Sequence, residues 1–351
     1  NIHRRKKDYK HLKKIIKKHL NILPDYLNEF HKSNYPKRFW QNILFLWVTY
    51  YITFQYYRLE TLNNIFKKRK NLIFFKLNCE DKNFVATDSL DFFQLGAKSD
   101  AFNYFHFKRI INFLQINNKI RIKIINKQSK GNLNQLLNLD KKEYQDKNKK
   151  DAAFGFKNLM RVFLLNFSKN NRFIIRDGFS LKNLFLINIF FGRFPITFPN
   201  EFIWNIRKDE FYKVSANIKK RDKIKYKFKH KNIFDKYIGK YIFRDIPTCY
   251  LEGFNNLNQI VNKINLSPNL IFSSAKYFHD EIFKLWVTRE QVLKGKKFFV
   301  IEHGGWHHEN KSIFNYQDFV SDETIEWIKN KKKKSLPIPY FILRNKKRKS
   351  K

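Results

Sequence analysis

The chain has 351 residues, 43% of them hydrophobic and 18% aromatic, and this much apolar surface excludes an intrinsically disordered chain. Lys and Arg outnumber Asp and Glu by 72 to 30, but the basic residues are spread along the whole chain. No zinc-finger spacing, basic zipper or aromatic-glycine RNA-binding signature is present, so nucleic acid is not the expected partner. Only two cysteines are present, which excludes a disulfide framework and favours the cytoplasm.

The first part of the chain is predicted to be helical. Residues 8–31 carry apolar side chains at helical spacing, with an interruption expected near Pro24. Residues 38–66 form a second, aromatic-rich helix, in which residues 39–57 carry no charge and are nearly long enough to span a bilayer. Polar side chains within this run, such as Gln41, favour a buried core helix over a membrane span, with an interfacial helix as the intermediate case.

Strands and helices alternate along the rest of the chain. In chain order we expect a strand at 72–77, helices at 88–93 and 100–114, an exposed polar loop at 126–150, a strand at 173–176, a helix at 181–191, a basic mobile stretch at 219–231, a strand at 271–274, a helix at 280–293 and a strand at 297–301. This alternation predicts βαβ units and a parallel sheet.

The most informative segment follows the last of these strands, where Glu302, His303, Gly304 and Gly305 end an apolar run. Glycines after a strand let the backbone approach a ligand closely, and ligands bind beyond the carboxyl ends of parallel strands. A histidine there is placed to move a proton or to bind a phosphate. The structural alternative is a tight turn in which His303 caps a carbonyl. Residues 177–180 are a second candidate for a ligand-facing turn.

The same segment also allows a different enzyme class. His303, His307, His308 and Glu309 are residue types that bind zinc, as in a metal-dependent hydrolase. However, two glycines between the first histidines disrupt the helical spacing of metal ligands, and no second ligand cluster is obvious. A non-catalytic binding domain is the third possibility.

Three segments of the chain resemble a family of transferases for bacterial surface polysaccharide, associated with O-antigen biosynthesis. The first, residues 35–58, has an aromatic pair and a long apolar helix that ends in Tyr57-Arg58. The second, residues 246–254, is a proline-aromatic-Leu-Glu-Gly-aromatic turn. The third, residues 273–327, runs from Ser273-Ser274 through Asp280-Glu281 and His303-Gly304-Gly305 to Ser321-Asp322 and Trp327. The segments occur in family order. This chain departs from the family at Glu302, where Gln is usual, and at His307-His308, where an aromatic-glycine pair is usual.

The resemblance implies an α/β fold of the GT-B glycosyltransferase type, with a Rossmann-like parallel sheet flanked by helices. Residues 1–330 are then the N-terminal, acceptor-side domain, with the first strand missing and a helical insertion at residues 8–66. Residues 331–351 are a basic linker towards an absent C-terminal, donor-binding domain. Since the chain begins at Asn1 and its only methionine is Met160, we expect a fragment.

The resemblance also implies the activity. The protein is expected to transfer a glycosyl or related group from a nucleotide-activated donor, such as a nucleotide sugar, to a glycan or lipid-linked acceptor in lipopolysaccharide biosynthesis. No cofactor, metal or nucleic acid is expected to take part. The expected location is the cytoplasm, where the positive charge also favours peripheral contact with the inner membrane.

Transfer of this kind needs a base for the acceptor hydroxyl and charge stabilisation for the leaving phosphate. His303 is the predicted base, and Glu302 the residue that orients its imidazole unless it points into solvent. The Gly304 and Gly305 amides are predicted to hold a phosphate or a sugar carboxylate. The other predicted substrate-binding residues are Arg58 (alternatively a solvated surface residue), Glu252 (alternatively a turn salt bridge), Ser274 and Asp322 (alternatively a helix N-cap).

Overall fold

The fold is seen in a computed structural model of the chain. It describes residues 2–69, 72–77, 81–116, 123–126, 133–138, 140, 173–175, 177, 186, 189, 214–224, 226, 231–264, 266–302, 316–326 and 335–337. The elements in chain order are α1 (Ile2–His31), α2 (Lys37–Lys68), β1 (Ile73–Lys76), α3 (Ser89–Lys98), α4 (Asp100–Ile116), β2 (Lys123–Asn126), β3 (Phe173–Ile175), α5 (Ile218–Asp222), α6 (Ile233–Asp245), α7 (Phe254–Asn262), β4 (Leu270–Ser273), α8 (Lys276–His279), α9 (Glu281–Lys294), β5 (Lys297–Ile301), α10 (Tyr316–Val320), β6 (Glu323–Glu326) and β7 (Ser335–Pro337). Short 3-10 turns lie at Asp81–Phe84 and Thr248–Tyr250.

The chain forms two compact units. Unit 1 comprises Asn1–Asn34, Trp47–Lys150 and Asp209–Asn255, and unit 2 comprises Tyr35–Leu46, Asp151–Lys208 and Asn256–Lys351. The predicted boundary between a domain at 1–330 and a linker at 331–351 stays a prediction.

Unit 1 is mainly helical, with one two-stranded parallel sheet of β1 and β2, in which Ile73 aligns with Lys123. Helix α1 buries the apolar positions that were expected to face the core: Leu12, Ile15, Ile16, Leu20, Leu23 and Leu27. The interruption expected near Pro24 is wrong, because α1 continues through this proline. The buried leucines on either side of Pro24 hold the helix in the core and offset the cost of its missing N–H.

Helix α2 confirms the predicted aromatic-rich helix. Its buried side chains include Trp47 and Tyr51, and the polar residues Thr49 and Gln55 are buried beside them. No helix in the described part of the chain is long and apolar enough to cross a membrane. A core helix is therefore the interpretation of α2 that agrees with its burial.

Two other expectations for unit 1 are wrong at the residues that the structure describes. Residues 133–138, within the expected polar loop, are helical and bury Leu133 and Leu137, which lie four apart on one helix face. The basic stretch expected to be mobile at 219–231 contains α5, in which Arg221 is buried. Composition alone did not indicate that these side chains find partners elsewhere in unit 1.

Unit 2 is built on a five-stranded parallel sheet with the order β3-β4-β5-β6-β7. In the central strands, Ile271 aligns with Phe298, and Val300 with Thr324. Residues Ile271, Phe298 and Val300 are buried, as expected for short apolar runs in a sheet covered by helices. The structure therefore confirms a mixed α/β fold with a parallel sheet flanked by helices.

The connection between β4 and β5 shows why the sequence folds in this way. Asp280 is the N-cap of α9, and its carboxylate accepts hydrogen bonds from the Ile282 and Phe283 amides at 3.1 and 3.2 Å. Gly295 ends the helix in the left-handed conformation with φ 68°, which glycine adopts without steric cost. Strand β5 begins two residues after Gly295. The N-cap Asp280 and the terminating Gly295 therefore define α9, and with it the point at which the chain returns to the sheet.

Candidate functional site

The strands β3, β4 and β5 end at one edge of the unit 2 sheet, because all their pairings are parallel. In this register Ile175 aligns with Phe272, and Ser273 aligns with Val300. Asp177 lies two residues after the end of β3, Ser274 directly follows β4, and Glu302 directly follows β5. We call this region the carboxyl edge, and it is where open α/β sheets bind their ligands.

Asp177 organises the carboxyl edge. Its carboxylate accepts hydrogen bonds from the Ser273 hydroxyl (2.5 Å) and the Ser274 hydroxyl (2.8 Å). It also accepts from three successive amides, those of Ser274 (3.0 Å), Ala275 (2.7 Å) and Lys276 (3.3 Å). A carboxylate held by several N–H and O–H donors forms strong, charge-assisted bonds. Asp177 therefore fixes the backbone where the chain leaves β4.

Sequence reasoning placed Asp177 in a ligand-facing turn but not among the site residues. The signal was an acidic residue directly after an apolar strand. It did not reveal that the acceptor of the Ser274 hydroxyl would be a side chain 97 residues away in sequence. Ser274, a predicted substrate-binding residue, does lie at the carboxyl edge, with its hydroxyl donated to Asp177.

Glu302 is fully buried, so the alternative in which it points into solvent is wrong. Its amide donates to the Ile325 carbonyl at 2.8 Å, which extends the pairing of β5 with β6 by one residue. Glu326, also buried, ends β6 at the corresponding position of the neighbouring strand and accepts a hydrogen bond from Thr324 at 2.8 Å. The carboxyl edge thus carries buried carboxyl side chains from two adjacent strands.

The remaining residues of the predicted motif, His303, Gly304, Gly305, His307 and His308, lie outside the described residues. The described chain contains no group of three or more metal-binding side chains. The predictions made for the histidines and glycines therefore stay predictions. What the structure adds is the position of Glu302, the residue that immediately precedes them.

Asp322 lies at the opposite, amino edge of the same sheet. It precedes β6, and its carboxylate accepts hydrogen bonds from the Phe298 amide at 2.9 Å and the Gln291 side chain at 3.1 Å. Phe298 is at the start of β5, whereas Glu302 follows the end of that strand. Asp322 therefore joins β5 to β6 and α9, and it is not brought together with Ser274 and Glu302.

Glu252, predicted to bind substrate, belongs to unit 1 and forms a salt bridge with Arg221. The two side chains join through two hydrogen bonds, Arg221 Nε to Oε1 at 2.9 Å and Nη2 to Oε2 at 2.5 Å, and the Asn217 amide donates to Oε1 at 2.8 Å. Burial acts to raise the pKa of Glu252, but the hydrogen bonds and charge of Arg221 outweigh it and lower the pKa. These contacts therefore favour the interpretation of Glu252 as part of a turn salt bridge.

Arg58, the other predicted substrate-binding residue of unit 1, is not a solvated surface residue. Only 6% of it is exposed, and it donates a hydrogen bond to Asn103 at 2.5 Å. The predicted site residues are thus divided among three places: Ser274 and Glu302 at the carboxyl edge, Asp322 at the amino edge, and Arg58 and Glu252 in unit 1.

Comparison with known proteins identifies a family. The family model described as LIC12162 family transferase matches residues 2–351 of the chain. No curated protein and no solved structure matches it.

Proposed function

Because the chain belongs to the LIC12162 family of transferases, we propose that it transfers a glycosyl or related group at the carboxyl edge of unit 2. The proposed donor is nucleotide-activated, and the acceptor is a glycan or a lipid-linked glycan of bacterial surface polysaccharide such as O-antigen. The proposed location is the cytoplasmic face of the inner membrane, where nucleotide-activated donors and lipid-linked acceptors meet. The GT-B type of fold belongs to the same proposal.

The observation that carries the proposal is the buried carboxylate of Glu302 at the end of β5. Beside it, Asp177 holds the exit of β4 in one conformation through both serine hydroxyls and three amides. A rigid backbone at the carboxyl ends of strands is what a transfer reaction needs, since small errors in the position of a reacting group slow it strongly.

In the proposed reaction His303 removes the proton of the acceptor hydroxyl as the oxygen attacks the donor carbon. The bond from that carbon to the donor phosphate oxygen breaks, and the nucleotide leaves with the electron pair. Glu302 orients the imidazole and stabilises its positive form. The Gly304 and Gly305 amides hold the phosphate or a sugar carboxylate.

A chromosomal His303→Ala replacement in the source cells tests this role. The expected result is loss of the surface polysaccharide on gels, with protein abundance unchanged. Glu323→Gln, at the amino end of β6, is the matched control and should leave the polysaccharide intact. Unchanged polysaccharide in His303→Ala cells would show that His303 is not the base, which would favour a non-catalytic domain.

The metal-dependent hydrolase makes a different prediction. Calorimetric titration of the purified protein with zinc should show no stoichiometric binding if transfer is metal-free. Submicromolar binding, lost in a His307→Ala/His308→Ala variant, would favour the hydrolase instead.

A further inference from the structure

Unit 1 contains a buried charged cluster that the proposed transfer does not use. Gln55 and Arg58 lie three residues apart on α2, and Asn103 and His106 lie three apart on α4. The Gln55 amide is 2.9 Å from His106 Nδ1, and Arg58 Nη2 is 2.5 Å from Asn103 Oδ1. Because residues three apart are neighbours on a helix face, these two bonds place the Arg58 guanidinium beside the His106 imidazole.

The positive charge of this cluster is not balanced by the carboxylate near it. Asp245 is bound by both terminal nitrogens of Arg109, one at 2.9 Å, and by the Tyr51 hydroxyl at 2.9 Å. This carboxylate therefore already neutralises Arg109. Arg58 is a second buried guanidinium, and burial lowers its pKa to about 10. Among the described residues, no carboxylate forms a salt bridge with Arg58, since Asp245 is paired with Arg109. A buried charge without a counter-ion is costly, so a matching anion at this point would be stabilising.

Two hydrogen-bond donors of the cluster have no partner among the residues that the structure describes. One is Arg58 Nη1. The other is His106 Nε2. Arg109 can only donate hydrogen bonds, so its contact with His106 Nδ1 at 3.4 Å makes Nδ1 the acceptor. The neutral imidazole therefore carries its proton on Nε2. Burial and the charges of Arg58 and Arg109 hold the pKa of His106 well below its usual value.

We propose that Arg58 and His106 bind an oxyanion of the phosphate class within unit 1. The two donors without partners among the described residues, Arg58 Nη1 and His106 Nε2, belong to different side chains, so they do not form the parallel pair that a planar carboxylate prefers. A tetrahedral oxyanion instead accepts separate donors from different directions. Gln55 Oε1, an acceptor with no partner among the described residues, matches a hydroxyl of such a ligand. The proposal does not rest on the transfer reaction at the carboxyl edge.

The Arg58 guanidinium also lies close to Gly96 of α3. This glycine is half-buried, and a Cβ added to it would lie 3.6 Å from Arg58 Nη2. The same Cβ would clash with the Phe54 ring, so a larger residue is not accommodated there.

Calorimetric titration of the complete chain with inorganic phosphate tests the proposal, with chloride used to keep the ionic strength constant. Saturable binding of one phosphate per chain is expected, with sulfate competing. Arg58→Gln is expected to weaken binding at least tenfold. The matched control is Arg289→Gln, because Arg289 likewise donates to asparagine side chains, at 3.2 Å for Asn258, but belongs to unit 2. This variant should bind phosphate like the wild-type chain.

Absence of saturable phosphate binding to the wild-type chain would overturn the proposal without any variant. Equal binding by the wild-type chain and Arg58→Gln would overturn it as well. If Arg58→Gln does not fold, His106→Phe removes the second donor while keeping an aromatic ring, and unchanged affinity in that variant contradicts the proposal. These results leave the role of His303 in transfer untouched, because that role is measured separately through the polysaccharide.

Discussion

Replacing Glu252 with alanine separates a structural role for this residue from substrate binding. Its partner Arg221 has a side chain with 0% exposure, and the Glu252 side chain is 10% exposed. Arg221 Nη1 donates to the carbonyls of Arg244 and Ile246 at 2.7 and 2.6 Å. The guanidinium therefore connects α5, the end of α6 and the turn that carries Glu252, all within unit 1.

The expected cost follows from these contacts. Glu252→Ala leaves Arg221 Nε and Nη2 without their carboxylate acceptor, and removing one partner of a buried pair costs about 3–5 kcal/mol. We expect the lower end, about 3 kcal/mol, because the two carbonyls still hold part of the guanidinium. A loss of this size lowers the melting temperature by about 6–12 °C in a domain of some 150–250 residues.

Thermal unfolding measured by circular dichroism is the assay. Glu29→Ala removes an exposed carboxylate of the same unit and should change the free energy of unfolding by less than about 0.5 kcal/mol. Arg221→Met combined with Glu252→Leu should recover part of the loss, because no buried charge is left uncompensated. A Glu252→Ala variant that melts like the wild-type chain but has lost transfer would refute the structural reading and support substrate binding.

Three further outcomes are expected. The pKa of Glu252 is lower in the folded chain than its ordinary value near 4.5. The stabilising effect of this carboxylate is therefore present above pH 4.5 and is lost as the pH falls through the folded pKa. The melting-temperature difference between the wild-type chain and Glu252→Ala should shrink in acid, and a constant difference down to about pH 3 would contradict this. Asp177→Ala should lower the free energy of unfolding by about 2 kcal/mol. It should also speed hydrogen exchange of the Ser274, Ala275 and Lys276 amides, while the amides of α9 keep their protection. Unchanged exchange at these three amides would show that the carboxylate does not hold them. Gly96→Ala should lower the free energy of unfolding by about 1–3 kcal/mol because the added Cβ clashes with the Phe54 ring. Adding Phe54→Leu should recover part of this loss. A Gly96→Ala variant as stable as the wild-type chain would show that the ring moves away without cost.

Much of the unit 2 fold could be predicted from local sequence. The apolar run of β5 and the Asp280 and Gly295 signals that bound α9 lie within a few residues of the elements that they define. The position of Glu302 at the carboxyl edge follows from these local patterns, since parallel strands must end together. Local pattern was sufficient here because the information and the element occupy the same part of the chain.

Long-range polar pairs could not be predicted in the same way. Arg221 lies in a strongly basic stretch, and its burial depends on Glu252, 31 residues later. Asp322 follows Ser321 in a pattern that suggested substrate binding or an N-cap, but its carboxylate bonds the start of β5, 24 residues earlier. Residue type and spacing do not show which distant partner a charged side chain will find, because this depends on how the elements pack.

The burial of Arg58 is a related case. The sequence places it after an uncharged run of α2, where either solvent or a ligand was expected to take its charge. In the fold, α4 covers it through Asn103, and the Phe54 ring lies 5.5 Å from its guanidinium carbon. The chemistry of the residue was evident from the sequence, whereas its surroundings depended on the packing of α4 against α2.

The claim that transfer takes place at the carboxyl edge is tested most directly with His303→Ala in the purified full-length protein. The full-length protein is incubated with uridine, guanosine, cytidine and thymidine nucleotide sugars and with lipid-linked glycans extracted from the source membranes, and labelled glycan product is measured. We expect product with the wild-type protein and with Glu323→Gln, and at least a hundredfold less with His303→Ala at an unchanged melting temperature. Wild-type rates in the His303→Ala variant would contradict the claim.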